Sequence, residues 1–312
     1  MTAPSLNIEF PVQHARKHVS LGDWLDDKFR YWALLPAILV LLTLTVFPLV
    51  ELAGMSVSTV AFAEGKVNWT FSGLDNLQTF LDDETFLTAV GNTVIFVIVT
   101  VAVELLLGLA LALIVSQTQV LVGVSRAVLI LPILVPPIAI GTIWRLMYNY
   151  EFGVFNQALA LFHLSPQNWT GSSTLALPSV ITVDIWHWTS FVFLLMLAGI
   201  ESLPLEPIEA ARVDGASDWQ LLRYVVLPLL RPTILVTLMF RTIFAFKVFD
   251  EVFLLTSGGP GNATEVISLY INRVFFTQSR MGYGALLGVL TIALTAVFVI
   301  GYNRVARARS AQ

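Results

Sequence analysis

The chain has 312 residues, of which 56% are hydrophobic and 12% are charged. Ordinary soluble domains carry about 25% charged residues, so this composition excludes a water-soluble protein. A formal net charge of −4 and the absence of cysteine exclude a basic nucleic-acid surface, disulfides and thiolate metal sites. The four histidines lack the spacing of metal ligands, so no metal site is predicted; they are His14, His18, His163 and His187.

Six apolar segments are long enough to cross a bilayer, which takes about 20 residues in a helix. Their continuous apolarity favours helices over the alternating strands of a barrel. The predicted fold class is therefore all-α, a polytopic membrane protein with six transmembrane helices. The segments are Trp32–Val57, Ala89–Ser116, Ala127–Tyr148, Leu175–Ile200, Pro232–Thr256 and Gly282–Tyr302.

The first segment is too long for the apolar part of a signal peptide, and polar residues precede it, so no cleaved leader is expected. Lys and Arg between the segments alternate in number, with eleven on one side of the membrane and three on the other. Because the basic side faces the cytoplasm, both termini and segment 201–231 are predicted to be cytoplasmic.

Three parts of the chain follow from this topology. Residues 1–31 are predicted to be a cytoplasmic tail, residues 32–304 a six-span transmembrane domain and residues 305–312 a second cytoplasmic tail. The end of the first tail predicts a short helix at the membrane interface, because aromatic residues lie beside basic ones there. These residues are Trp24, Lys28, Phe29, Arg30, Tyr31 and Trp32.

Prolines interrupt the third span at Pro132, Pro136 and Pro137. Proline removes a helical hydrogen bond, so we expect a kink or a break there. Such a break suits a span that flanks a transport pathway, and it is equally compatible with plain bundle packing.

Segment 201–231 is too polar to cross a membrane and predicts two short helices. Ser202 is placed to cap the first helix, and Gly215 to end it where a positive φ is cheap. The segment carries small residues that allow close approach by another protein, although a folded loop without a partner explains them as well. They are Ala210, Ala211 and Ala216.

The second helix of this segment begins at Ser217, which has capping-box spacing to Gln220. We expect Leu227-Pro228 to break this helix and Pro232 to open the fifth span.

The run Glu209-Ala210-Ala211-Arg212-Val213-Asp214-Gly215-Ala216, followed by Leu227-Pro228, resembles the EAA loop of permease subunits of binding-protein-dependent ABC importers. It departs only at Leu222 and Val225, where an aromatic and an isoleucine are common. The resemblance covers about residues 30–305. It implies the type I ABC importer permease fold, with a cytoplasmic coupling helix inside segment 201–231, here called the coupling loop.

In this family the EAA loop docks into a cleft of a cytoplasmic ATPase. The resemblance therefore implies ATPase-coupling residues, with Glu209 and Asp214 anchoring the loop by hydrogen bonds and Gly215 permitting its turn. The full set is Glu209, Ala210, Ala211, Asp214, Gly215, Leu227 and Pro228. The only Gly-Lys pair, Gly65-Lys66, lacks the Walker A context. ATP and Mg²⁺ are thus expected on two copies of a partner ATPase, and no cofactor on this chain.

Further partners follow from the same resemblance. A single EAA loop means that a second permease subunit must help line the pathway. A related but different chain is the usual partner, and the sequence leaves a homodimer open. We also expect a periplasmic solute-binding protein as a partner, a bacterial inner membrane as the location and no binding of nucleic acid.

The run from Leu255 to Thr264 resembles the T-x-G-G-P segment of the subgroup that imports sugars, polyols and glycerol phosphates. Weaker matches are Gly73–Leu77 and Asn92-Thr93. The loop charges place the segment on the periplasmic side, and its glycines and proline predict a tight turn. Either a contact with the binding protein or a plain reverse turn accounts for Gly258, Gly259 and Pro260.

Ionisable residues inside spans are costly and indicate function. They are Glu104, Asp184, His187, Arg241, Lys247 and Asp250. In the fourth and the fifth span, ionisable and aromatic residues recur at helical spacing and so share one face of each helix. These faces match positions where sugar-importing relatives contact ligand, which implies a substrate pathway near mid-membrane. Its predicted residues are Asp184, His187, Trp188, Phe191, Arg241, Phe244, Ala245 and Val248.

Aromatic faces suit sugar rings, and Asp184 can accept hydrogen bonds from hydroxyl groups. Arg241 can bind a phosphate, sulfonate or carboxylate through two hydrogen bonds, or it can form an internal salt bridge with Asp184. Lys247 is expected to pair with Asp250 or Glu251 near the end of its span.

The predicted function is one half of an ATP-driven importer for a carbohydrate-like solute, neutral or anionic. An ion-coupled secondary transporter is the alternative, since it explains the spans and the charges within them but not the EAA loop. A membrane-embedded enzyme is disfavoured, because no nucleophile or metal set accompanies Asp184 and His187.

Overall fold

A computed structural model describes residues 21–63, 66–117 and 122–310. Within these residues the chain is helical apart from its loops and one antiparallel hairpin. The helices are α1 Leu21–Ser56, α2 Asp75–Leu81, α3 Glu84–Gln117, α4 Val122–Leu134, α5 Pro137–Met147, α6 Val154–Leu161, α7 Ala176–Glu201, α8 Leu205–Val213, α9 Asp218–Leu221, α10 Leu227–Phe246, α11 Asp250–Leu255, α12 Ile267–Asn272 and α13 Met281–Ser310. The strands are β1 Ser58–Ala63 and β2 Lys66–Phe71, and π-helical turns occupy Leu222–Val226 and Arg273–Thr277.

The chain divides into two units, residues 1–51 and 52–312. The described part of the first unit is α1 as far as Glu51, a helix that contains Pro36 and Pro48. The segment predicted to lie at the interface is the beginning of α1 and continues into the first span without a break. Arg16 and Lys17, which entered the charge count, lie outside the described residues.

The predicted set of membrane spans is confirmed by length and composition. Among the described residues, five helices are long and apolar enough to cross a membrane, and a bent pair makes a sixth if it counts as one span. The five are Ala33–Ser56, Glu84–Gln117, Ala176–Glu201, Asp218–Phe246 and Met281–Gly301. All-α is thus the right class, with the β1–β2 hairpin as an addition that the sequence did not predict.

The third span is the bent pair. Its two helices, Gly123–Leu134 and Pro137–Met147, meet at 95°. Pro136 has extended backbone, with φ −60° and ψ 140°, and Pro137 follows as the first helical residue. Proline fits that first position because its missing N–H would have no helical partner there, so the predicted break is confirmed.

The fifth span differs from the prediction at both ends. It begins at Asp218 and ends at Phe246, before the separate helix α11. The expected break at Leu227-Pro228 is wrong, because a π-helical turn over Leu222–Val226 carries the helix into α10. The Leu227 N–H bonds to the Leu222 carbonyl five residues back. This wider bonding pattern lets the helix pass a proline that lacks its own N–H.

The interior of the second unit lies where α3 packs on α7 and α10. Glycines allow this close approach: a Cβ at Gly108 would lie 2.9 Å from the Phe193 backbone nitrogen, and one at Gly199 would lie 2.7 Å from the Thr233 methyl. Small residues serve the same purpose in membrane bundles generally, since they bring helix backbones together. This packing brings ionisable groups from three helices into one buried place.

Candidate functional site

The coupling loop is a short exposed helix, α8, followed by a tight turn. The Gly215 N–H bonds to the Arg212 carbonyl at 3.1 Å, and the Ala216 N–H bonds to the Ala211 carbonyl at 3.0 Å. This bond pair is the Schellman motif, which needs a residue of positive φ after the helix. Gly215 supplies it with φ +84°, as predicted.

The predicted capping box after this turn is confirmed. The Gln220 N–H donates to Ser217 Oγ at 3.4 Å, and the Ser217 N–H donates to Gln220 Oε1 at 2.9 Å. Ser202 does not cap α8, which begins after Pro204. Its hydroxyl donates instead to the Gly199 carbonyl at 2.8 Å, at the end of α7.

The predicted coupling residues are mostly solvent-exposed. Glu209, Ala210, Asp214, Gly215 and Pro228 are exposed, whereas Ala211 and Leu227 are half-buried. Among the described residues, neither Glu209 nor Asp214 makes an ion pair. The loop therefore presents two free carboxylates and small side chains on a rigid turn.

The intramembrane charges converge on Arg241. Its Nε and Nη2 atoms donate to both oxygens of Glu104, the Nη2–Oε1 distance being 2.8 Å, and Nη2 also contacts Asp184 Oδ2. These three residues, called the charge network below, are each 0–1% exposed. Of the two roles that the sequence left open for Arg241, the structure contains the internal salt bridge, with Glu104 as an additional partner.

A second buried pair lies beside this network. His187 Nδ1 is 3.3 Å from Glu251 Oε1, and both residues are buried. Lys247 is exposed and forms no ion pair within the described residues, so its expected pairing with Asp250 or Glu251 is not present. Glu251 belongs to α11, and the break after Phe246 turns that carboxylate toward α7 instead.

Aromatic side chains from α7 and α10 form a partly open surface next to the charge network. The rings of Trp188 and Phe244 stack with centroids 5.2 Å apart and planes 25° apart. Phe191 meets Trp188 edge-on at 5.8 Å, and Phe240 stacks on Phe244 at 6.4 Å. Phe240 and Phe244 remain 50% and 38% exposed. We call these four residues the aromatic face.

The predicted pathway residues therefore separate into three groups. Trp188, Phe191 and Phe244 belong to the aromatic face. The ionisable members of the predicted set are held by buried partners; they are Asp184, His187 and Arg241. Ala245 and Val248 belong to the apolar core, at 0% and 5% exposure. Phe240 was missed by the sequence, although its spacing of four residues from Phe244 places it on the same helical face.

The Gly-Gly-Pro segment is a tightly anchored loop. Gly258 and Gly261 have φ of +88° and +61°, so the turn that their residue type predicts is present. The Asn92 side-chain amide donates to the carbonyls of Asn262 and Glu265, each at 2.9 Å. The weak Asn92-Thr93 match thus has a physical reason, since it ties this loop to α3.

Beneath the loop lies the buried carboxylate of Glu265. Arg273 Nη2 is 3.0 Å from it and also donates to the Ser257 carbonyl at 3.2 Å. Burial raises the pKa of the Glu265 carboxyl, and the ion pair with Arg273 offsets only part of this effect. A Cβ on Gly258 would collide with the same carboxylate, so a glycine is required there for space as well as for φ.

Asp83 joins three helices near the start of α3. Its carboxylate accepts hydrogen bonds from the Tyr270 hydroxyl at 2.7 Å, from the Tyr283 hydroxyl and from the Phe86 N–H at 2.9 Å. Burial alone would raise the pKa of Asp83, but these hydrogen bonds outweigh burial and lower the pKa below its ordinary value.

Five or six candidate membrane spans within the described residues, with an exposed EAA-type loop between α7 and α10, are typical of a membrane transporter permease. The sequence matches the family described as "Binding-protein-dependent transport system inner membrane component" over residues 104–310. The chain belongs to this family, and it is a multi-pass inner-membrane permease of an ABC importer.

Similar proteins cover nearly the whole chain. The trehalose/maltose transport system permease protein MalF of Thermococcus litoralis is 38% identical over 91% of this chain and 95% of that protein. The sulfoquinovosyl glycerol transport system permease protein SmoG of Agrobacterium fabrum is 33% identical over 92% and 94%. Among solved structures, a bacterial alginate ABC transporter in complex with alginate pentasaccharide-bound periplasmic protein has a TM-score of 0.78 at 25% identity, over 92% and 97%.

Proposed function

We propose that this chain is one of two permease subunits that import a carbohydrate or polyol, delivered from outside the cell by a solute-binding protein. ATP is hydrolysed by two copies of a separate cytoplasmic subunit, one of which docks on the coupling loop of this chain. The relatives named for trehalose, maltose and sulfoquinovosyl glycerol support a hydroxyl-rich solute.

The observation that carries the coupling role is the geometry of the loop itself. Glu209 and Asp214 are exposed and free of ion pairs within the described residues, on a helix whose end is fixed by Gly215. Exposed carboxylates that no intramolecular partner satisfies can accept hydrogen bonds from another protein. The excess of Lys and Arg on the same side supports a cytoplasmic position for this loop and for both termini.

The aromatic face supports the solute class. Flat aromatic rings present large apolar surfaces with little conformational freedom, which suits the apolar faces of sugar rings. The Nε and Nη2 atoms of Arg241 are bonded to Glu104 and Asp184, so these two donors are not available to an anionic solute in this arrangement. We therefore propose that the solute is recognised through ring stacking and hydroxyl groups rather than through its charge.

The outer loop is proposed as the contact for the binding protein. Gly258, Gly259 and Pro260 lie on a turn that Asn92 and Arg273 hold from below. A preformed loop loses little conformational entropy when a partner docks on it.

Co-purification tests the central proposal. The intact chain, expressed with its partner permease, should retain the ATPase through affinity purification. Glu209→Gln should reduce ATPase retention and the ATP hydrolysis stimulated by liganded binding protein by at least about tenfold, since hydrogen bonds to a charged group contribute roughly 1.5–3 kcal/mol. The matched control is Glu151→Gln, an exposed carboxylate in the loop assigned to the other side of the membrane. Equal retention by both variants would contradict the coupling role.

A further inference from the structure

Glu104 is a buried carboxylate with no place in solute contact. It is 0% exposed, lies in the interior of α3, and α3 contributes no ring to the aromatic face. Both of its oxygens bind Arg241, through Nε and Nη2. A carboxylate that receives two parallel N–H bonds fixes the plane of the guanidinium as well as its position.

Arg241 is held from a second side by Asp184, which lies four residues before Trp188 on α7. Residues four apart in a helix occupy the same face. The guanidinium carbon lies 4.9 Å from the centroid of the Trp188 ring, within the range of a cation–π contact. The buried charge network therefore contacts the aromatic face through the indole of Trp188.

Trp188 links this buried network to the open aromatic face. The indole is half-buried, and it stacks on Phe244, which is 38% exposed. Phe191 packs against both of these rings, at 5.8 Å and 6.0 Å. The orientation of the exposed rings thus depends on Trp188, and Trp188 depends on where the guanidinium is held.

We propose that Glu104 is a positioning residue for the solute site: it holds Arg241 against Trp188 and so fixes the ring surface on which the solute stacks. This role rests on the proposed function, in that the aromatic face is the solute-binding surface. Glu104, the residue that α3 contributes to the charge network, would thus act on the solute site without touching the solute.

The first test measures Trp188 itself, in the full-length chain purified in detergent. The chain has eight tryptophans, so the emission of Trp188 is obtained as the difference between a protein and its Trp188→Phe counterpart. Glu104→Gln should change the wavelength and intensity of this difference emission, because the guanidinium leaves the indole. Asp83→Asn removes a carboxylate outside the charge network and should leave the emission unchanged. An unchanged emission in Glu104→Gln, or an equal change in both variants, would overturn the positioning role.

The second test measures solute handling by the complete transporter, with trehalose as the probe. A cation–π contact is worth roughly 0.5–2 kcal/mol, so Glu104→Gln should lower trehalose-stimulated ATP hydrolysis by about two- to thirtyfold. In a Trp188→Phe background the same substitution should add less than about twofold, because residues that act through one contact are not additive. Losses that multiply in the double variant would overturn the inference.

The two tests distinguish a failure of the proposed role of Glu104 from a failure of the proposed function on which it rests. A wild-type complex that neither trehalose nor any other carbohydrate or polyol stimulates would contradict the proposed solute class. The difference emission would then decide the role of Glu104 by itself, since it needs no transport.

Discussion

The coupling loop and the charge network use ionisable residues in opposite ways. In the loop, Glu209 and Asp214 are exposed and have no ion-pair partner among the described residues. In the network, Glu104, Asp184 and Arg241 are almost completely buried and satisfy one another. The first arrangement leaves charge available to another protein, and the second withdraws charge from any ligand.

The difference follows from the surroundings of each region. Water surrounds the exposed carboxylates of the loop, so they need no partner until a protein docks. Inside the membrane an unpaired charge is expensive, so a buried guanidinium persists only with carboxylates placed around it. An intramembrane charge therefore indicates function only after its internal partners have been counted.

The largest expected effect comes from breaking the charge network. Arg241→Met leaves two carboxylates buried without their cation, which we expect to reduce the free energy of unfolding by about 3–5 kcal/mol. Denaturation of the detergent-purified chain, followed by circular dichroism, measures this loss.

The matched control for this substitution is Arg126→Met. Arg126 also pairs with a carboxylate, that of Glu201, but the two side chains are 37% and 47% exposed. Exposed pairs contribute about 0–1 kcal/mol, so this variant should unfold almost as the wild type does. Similar losses in the two variants would mean that burial does not distinguish the two regions.

The two regions also differ in how far the sequence predicts them. The turn of the coupling loop was predictable because its hydrogen bonds join residues three to five apart, and Gly215 and the Ser217–Gln220 spacing specify them locally. The partners of Arg241 lie 137 and 57 residues away. Spacing along one helix predicted a pathway face on each of two spans but could not show that α3 supplies Glu104 as a partner of Arg241.

The boundaries of the fifth span show the same limit. Proline at position 228 predicts a break from local rules, whereas in the structure a π-helical turn over Leu222–Val226 carries the helix past this proline. Likewise, Glu251 and Lys247 are adjacent to the same helix break, and only the fold determines that Glu251 turns to His187.

A smaller effect on stability, with a larger one on coupling, is expected from Gly215→Ala. A Cβ at this position meets no atom within 4 Å, so its penalty comes only from placing alanine at φ +84°. That penalty is about 1–2 kcal/mol, and the chain should relieve it by distorting the turn that presents Glu209 and Asp214. We expect ATPase stimulation to fall strongly while most of the chain stays folded.

Gly91→Ala is the control for this change, because Gly91 also has open space around a Cβ but lies inside α3. Alanine is favoured over glycine in a helix, so stimulation and stability should be retained. Gly215→Asn should recover part of the coupling, since asparagine tolerates the left-handed region. Equal behaviour of Gly215→Ala and Gly91→Ala would show that the turn does not need its positive φ.

The smallest expected effect concerns pH, and it extends the comparison to the carboxylates of Asp83 and Glu265. The folded pKa of Asp83 is lowered by its hydrogen bonds, so its contribution to stability is fully present above the unfolded pKa of about 3.9. This contribution is lost as the pH falls through the lower folded pKa. The folded pKa of Glu265 is raised by burial, so its contribution to stability depends on pH in the opposite direction and is lost as the pH rises through the folded pKa.

Because the folded pKa of Asp83 is lowered, Asp83→Asn should destabilise the chain at neutral pH and converge with the wild type in acid, as measured by unfolding at a series of pH values. A constant difference across the acid range would mean that the Asp83 hydrogen bonds do not depend on its charge.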